Sequence, residues 1–420
     1  MKPDSFDPKT AKYLRTRGAN SPWKLVGCQA DGFRAAIVIP ALAEADSLPK
    51  TLHSLAKNPS VLLNQTLIIV VVNNRLTADP EQKAQNKLSL CWLEQRPCPQ
   101  LNLAWVDAAG SGFELPEKDG VGLARKIGFD LALAQLDWGT NPLLISLDAD
   151  SLVDGNYLPM LFAHFERNPC GAAYLPFRHQ AGETPAQEAA IREYELYLRA
   201  YQFGLHWAGS PYAVISIGSA LACRASAYVA AGGMKRRQAG EDFYFLQQLV
   251  KTDGVSPLAG TLVQPAARYS TRVPFGTGRT LEARVEQGKS LYHFISADSF
   301  RVLKNWLAAV DTLHTEAAGI LIAQAAQISP LLKSFLVAAD FFAVWQKLQK
   351  QTSGVQFLRA WHDWFDGLKT RQLLTRLEQE QAEQSSEILV SELLRTAGYP
   401  NMSGCSEQLQ FLEKLQGVCA

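Results

Sequence analysis

Two acidic clusters have the residue types and spacing to do chemistry. Asp148-Ala149-Asp150 sets two carboxylates at i and i+2, directly after the apolar run Leu143 to Leu147. Carboxylates so placed past a buried strand lie close enough to share a hard divalent cation, Mn²⁺ or Mg²⁺. Such a cation stabilises a diphosphate leaving group. An isolated triplet of this kind is also common in solvated loops, so it needs company to carry weight. The second cluster, Glu241-Asp242, follows Gly240 and opens a helical stretch. A positioned carboxylate takes the proton from an acceptor hydroxyl, which makes Asp242 a candidate base and Glu241 a partner for a neighbouring hydroxyl. The competing explanation is local: a helix dipole favours acidic residues in the first turn.

Two basic features accompany them. Arg125 lies near a helix start in Gly120-Val121-Gly122-Leu123-Ala124-Arg125, where backbone N–H groups and a guanidinium both favour an anion. A solvated arginine on a helix face is the plainer account. Arg272 to Arg279, with Gly276, Thr277 and Gly278 ahead of a helical stretch, has the composition of an anion loop or flap. A capped turn is its simple alternative.

The elements that must hold these residues read as alternating strand and helix. Ala35 to Pro40 and Leu67 to Val72 are short, β-branched apolar runs, the pattern of strands buried on both faces. Ser47 to Leu55 has helical spacing at Leu48, Leu52 and Leu55, with Ser47 placed to cap it. Leu103 to Asp107 and Leu143 to Leu147 give two more strands, and Gly122 to Leu136 a helix between them. Pro185 to Gly204 reads as a helix and Tyr212 to Cys223 as strand-like. This order predicts a Rossmann-type, mostly parallel α/β sheet with ligands at the carboxyl ends of its strands. Pro40, Asn73 and Asp148 all fall at such ends.

The motifs together resemble family 2 glycosyltransferases of the GT-A fold. Ile37-Val38-Ile39-Pro40-Ala41-Leu42-Ala43-Glu44 resembles the family's opening motif, and Gly120 to Gly128 its helix beside the donor. Asp148-Ala149-Asp150 matches its metal motif. Gly232-Gly233-Met234 and Gly240-Glu241-Asp242-Phe243 match its acceptor-side glycines and base. The resemblance runs from about Ala35 to Val263. It implies donor contacts at Pro40, Ala41, Glu44, Asn73, Gly122, Arg125, Asp148 and Ala149, metal ligation by Asp150 and Asp148, and catalysis by Asp242 with Glu241. It implies a metal-dependent transfer from a nucleotide-diphosphate sugar to the hydroxyl of a sugar, glycolipid or small molecule, and favours inversion at the anomeric carbon while retention stays open, since related folds do both. Ala43 stands where the family usually has Asn. Asn73 stands where it has the base-reading Asp; an amide oxygen accepts from a uracil N3–H, while the amide nitrogen serves other bases. UDP is the expected nucleotide. No QxxRW follows Asp242, which favours single transfer over polymerisation.

Composition bounds the alternatives. The 420 residues carry a formal net charge of +1, giving no electrostatic reason for a nucleic-acid partner. Seven scattered cysteines with no CxxC pair argue against a disulfide framework, and Met1 to Thr10 lacks the apolar core of a signal peptide, so a cytoplasmic location is expected. Residues 1–32 are read as a polar lead-in, 33–279 as the GT-A-like domain and 280–420 as an all-helical region. The many apolar residues of that last region, among them Trp306, Trp345 and Trp361, must be covered. Packing within the chain and a homodimer contact are expected ahead of peripheral membrane binding, since 301–420 has no lysine and arginine run. Two rivals stay open: a nucleotidyltransferase, which would want a glycine-rich basic loop where Ala41 to Asp46 has neither glycine nor lysine, and a non-catalytic sugar-nucleotide sensor.

Overall fold

The computed structural model describes residues 7–19, 21–28, 30–269, 276–351, 353–379 and 384–418. The chain divides into two compact units: Met1–Ile191 with Ser216–Lys289 and Lys414–Ala420, and Arg192–Ile215 with Ser290–Glu413.

The first unit is built on strands β1 (Ala35–Ala41), β2 (Thr66–Asn73), β3 (Asn102–Ala108), β4 (Leu143–Ser146), β5 (Leu152–Val153), β6 (Ala172–Tyr174), β7 (Leu221–Arg224), β8 (Val255–Pro257) and β9 (Val263–Gln264). Seven of them form one sheet in the order β3-β2-β1-β4-β7-β6-β8, and β5 pairs with β9. Only β7 runs against its neighbours β4 and β6; the other pairings of the large sheet are parallel. Every residue of β1 and β2 is buried, as their unbroken apolar runs require of central strands. This is the Rossmann-type α/β architecture that the strand and helix order predicts.

Several elements differ in detail from the sequence reading. Pro40 does not end β1, which continues to Ala41 opposite Val72. Tyr212 to Ala220 is irregular, and only Leu221–Arg224 pairs as a strand. Ser47 makes no capping bond; the turn ahead of helix Leu48–Leu55 closes through the Glu44 carbonyl, which accepts from the Ser47 and Leu48 N–H groups. Helix Val121–Ala132 lies on β1 and β2 with ten of its twelve residues buried. A Cβ at Gly128 would overlap the Val38 side chain, so this glycine sets how closely the helix approaches the sheet.

The second unit is helical. Its core gathers Trp306, Trp345, Trp361, Phe341 and Phe365, all essentially inaccessible. Trp361 stacks on Phe365 at 5.2 Å and meets Trp306 edge-on at 5.8 Å. Trp345 donates from Nε1 to the Glu316 carbonyl at 2.9 Å. Leu313, Leu331, Phe335 and Trp364 pack partly buried against this core, while Phe342 stays 44% exposed. The apolar residues of the tail are thus largely covered within their own unit. Among the described residues no helix is long and apolar enough to cross a membrane.

Candidate active site

Strand β4 delivers the acidic triplet. Leu147 continues the β1 pairing, its N–H donating to the Val38 carbonyl at 3.1 Å, and the chain then leaves the sheet. Three bonds fix the triplet's backbone there. Thr51 Oγ1 donates to the Ala149 carbonyl at 2.8 Å, Gln180 Nε2 to the Asp150 carbonyl at 3.0 Å, and the Ser151 N–H to the Asp148 carbonyl at 3.1 Å. Ala149 itself is buried. Its role in this structure is to present the two flanking carboxylates.

Each carboxylate meets an arginine. Arg125, buried in helix Val121–Ala132, donates from Nη2 to Asp148 and from Nη1 to Glu241. Arg268 donates from Nε to Asp150 Oδ2 at 2.9 Å and from Nη2 to Glu44, spanning the carboxylates that follow β4 and β1. Burial outweighs the field of Arg268 and raises the Asp150 carboxyl above its usual range, with Glu44 and Asp148 adding to the rise. Arg268 and Gln180 have no local sequence signal. They reach Asp150 from 118 and 30 residues away, so only the fold reveals them.

Glu241 and Asp242 begin helix Glu241–Thr252, and Gly240 before them adopts φ 72°, a left-handed conformation suited to glycine. Glu241 is turned inward to Arg125. Asp242 accepts from the Phe243 N–H at 2.8 Å. Burial raises its carboxyl above the ordinary value, opposed chiefly by the nearby Arg125 charge. A carboxylate raised in this way suits a proton acceptor working near neutral pH.

The ends of β1 and β2 are knitted by Asn86, another residue that sequence reasoning misses. Its Oδ1 accepts from the Ala43 N–H at 2.8 Å, and its Nδ2 donates to the Asn73 carbonyl and to Asn74 Oδ1 at 3.0 and 2.8 Å. Ala43 sits at φ 55°, which a β-carbon disfavours. Asn73 spends both amide hydrogens on backbone carbonyls, Ala41 at 3.1 Å and Val71 at 3.0 Å. These two carbonyls fix the amide's orientation, with Oδ1 left as its acceptor face. Pro40 and Ala41 are buried in β1.

Other predicted residues are placed differently. Gly122 packs against the 235–237 loop: its N–H donates to the Arg237 carbonyl at 3.1 Å, and a Cβ would lie 2.5 Å from the Lys235 carbonyl oxygen. The start of that helix therefore meets protein backbone. Gly233 packs against Tyr13 of helix Pro8–Arg17. In the segment read as an anion loop, Gly276 (φ 121°) precedes helix Thr277–Glu286, and Thr277 Oγ1 lies 3.4 Å from His179 Nε2. Gly278 is half-buried and Arg279 exposed, while Arg272 lies outside the described residues.

Asp148 and Asp150 are oxygen donors of the kind that would suit a hard cation, and the Arg268 guanidinium between Glu44 and Asp150 shows that the Asp150 side accepts positive charge. Among the described residues no group of three or more His, Cys, Asp or Glu side chains is gathered so as to hold a metal ion. A cation held by these two aspartates would take its other ligands from substrate and water.

The sequence matches no family model and no curated protein. Solved structures that resemble the chain include S. aureus TarS residues 1–349, at 12% identity and TM-score 0.38, covering 84% of this chain and 93% of that one. The same protein in complex with UDP-GlcNAc matches at 12% and 0.39, over 91% of this chain and 90% of that one. The mannosyltransferase PcManGT from Pyrobaculum calidifontis, in complex with GDP-Man and Mn²⁺, matches at 14% and 0.37, over 84% and 91%. Likenesses this distant speak to no individual residue.

Proposed function

We propose that the chain is a family 2 type glycosyltransferase with a GT-A-like first unit, transferring a sugar from a nucleotide-diphosphate donor to an acceptor hydroxyl. The observation that supports this best is the meeting of two motifs 90 residues apart in sequence. The Asp148-Ala149-Asp150 triplet and the Glu241-Asp242 pair join through Arg125 beside the end of β4. A donor-side acidic pair next to a desolvated carboxylate suits glycosyl transfer to a hydroxyl.

In this reading the nucleoside lies against the strand ends that carry Pro40, Ala41, Glu44 and Asn73, with Asp148 and Ala149 toward the diphosphate. Asp150 and Asp148 would hold Mn²⁺ or Mg²⁺, which when bound offsets the charge of the departing diphosphate. Asp242 accepts the proton of the acceptor hydroxyl as its oxygen attacks the anomeric carbon from the face opposite the leaving group, so configuration inverts. Asn73 supports a base that offers an N–H, because its own hydrogens are already committed to Ala41 and Val71. Uracil offers that N–H on the ring at N3, where cytosine has an acceptor and offers an N–H only at its exocyclic N4. The Gly276-Thr277-Gly278-Arg279 segment is proposed as an anion loop or a flap over the donor or acceptor.

Calorimetric titration with UDP, GDP, CDP and ADP in Mn²⁺ tests this. UDP is expected to bind most tightly and CDP at least tenfold more weakly. Equal binding of UDP and CDP would remove Asn73 from base recognition, and no nucleotide binding at all would remove the functional reading.

A further inference from the structure

Arg125 is a buried guanidinium with a specific set of neighbours. Its side chain is 4% exposed, its two terminal nitrogens donate to Asp148 and Glu241, and its Nε is buried without a partner. Glu241 is as deeply buried as the arginine, whereas Asp148 keeps about a third of its side chain accessible. The charge of Arg125 is therefore directed inward and shared between two carboxylates. Each terminal nitrogen already donates to a carboxylate.

The space for this arrangement is made by a third residue. Gly218 precedes β7, and a Cβ there would overlap Nη2 and lie 2.9 and 3.0 Å from Cζ and Nη1 of Arg125. The glycine's own backbone is tied down, since Ser146 Oγ of β4 donates to the Gly218 carbonyl at 2.6 Å. The guanidinium is thus bounded by two acids and by one glycine that cannot carry a side chain without displacing it.

We infer that Arg125 is a positioning residue: its guanidinium locks the donor-side Asp148 and the acceptor-side Glu241 into one arrangement, in a space that Gly218 keeps open. Asp242 is carried on the same helical turn as Glu241, so fixing Glu241 fixes the base relative to the donor triplet. The inference deepens the glycosyltransferase reading and rests on it for the role of Asp242. It replaces direct donor binding by Arg125 with an effect exerted through two acids.

The test uses the full chain with Arg125→Met, Arg125→Lys, Gly218→Ala and the double variant Arg125→Met/Gly218→Ala. UDP affinity in Mn²⁺ is read by calorimetry and turnover by UDP release from the UDP-sugar that wild type uses. The expected result is a UDP Kd within about threefold of wild type in every variant, with kcat lower by roughly 10²-fold in Arg125→Met. Gly218→Ala keeps the arginine but lowers kcat in the same way, Arg125→Lys recovers part of the loss, and the double variant is no worse than Arg125→Met. A Kd raised tenfold or more with kcat retained would make Arg125 a donor ligand and overturn the inference, as would multiplicative losses in the double variant. A thermal-unfolding cycle of Arg125→Met and Glu241→Gln decides the pairing even if wild type turns over nothing. Each single variant is expected to melt lower and the double variant no lower than the worse single one. Additive losses sink the strut, whereas an inactive wild type sinks only the functional reading.

Discussion

Arg268→Gln isolates the electrostatics of the proposed donor site. The substitution removes the guanidinium that bridges Glu44 and Asp150 and leaves two carboxylates facing each other around a neutral amide. At about 4 Å and an effective dielectric of ~20, a pair of unit charges attracts by ~4 kcal/mol before desolvation is counted. Arg268 keeps 30% of its side chain exposed, so water recovers much of this. A net loss of ~2–3 kcal/mol is expected, below the ~3–5 kcal/mol for breaking a fully buried pair. That corresponds to a fall of roughly 5 °C in melting temperature at pH 7.5 in EDTA. The pH dependence has a definite sign. Asp150 already binds its proton more tightly folded than unfolded, and losing Arg268 removes the main influence holding its carboxyl down. Folding is therefore penalised as pH rises from the ordinary value of 3.8 through the raised one, and the variant's deficit shrinks toward pH 5. Mn²⁺ supplies the missing positive charge, so it should stabilise the variant more than wild type. Thermal denaturation at pH 5 and 7.5, with EDTA or Mn²⁺, measures all of this. A variant that melts like wild type at pH 7.5 in EDTA, or whose deficit grows on acidification, refutes the reasoning.

Asp242→Asn should keep UDP affinity and lose about 10²-fold or more in kcat, and the acid limb of wild-type activity should lie above 3.8 because burial raises this carboxyl. Equal loss of UDP binding would assign Asp242 to the donor side. Ala43→Gly should gain up to about 1 kcal/mol in chemical denaturation by relieving the positive φ; a loss would mean that the Ala43 methyl is packed more favourably than its backbone is strained. Trp345→Ala in the helical unit should cost ~3–5 kcal/mol, with the Glu316 carbonyl losing its donor. Unfolding indistinguishable from wild type would remove this tryptophan from the core.

What the sequence made legible follows from how local each signal is. Strands β1, β2 and β4 announce themselves because central strands must be apolar at every position, and the triplet announces itself because it follows one of them. Helix Glu241–Thr252 is legible from Gly240 and the acidic turn. Strands β5, β6, β8 and β9 are two or three residues long and carry no period to read. Asn86, Gln180 and Arg268 are single polar residues whose purpose exists only after distant segments meet. Arg125 stands out in the sequence, but its partners do not: an arginine near a helix start reads as an anion binder until the fold places Glu241 and Asp148 around it. Gly122 fails for the same reason, since the backbone that covers it lies more than a hundred residues away.

The central claim is that the first unit breaks a nucleotide-sugar bond using the Asp148, Asp150 and Asp242 set. The most direct measurement is release of UDP from a panel of UDP-sugars by the purified chain, with hydroxyl acceptors and Mn²⁺, alongside Asp150→Asn, Asp242→Asn and wild type in EDTA. The account predicts release by wild type in Mn²⁺ that falls at least 10²-fold in both variants and in EDTA. Release unchanged in Asp150→Asn and in EDTA, or none from any nucleotide sugar by a folded wild type that binds UDP, would contradict it.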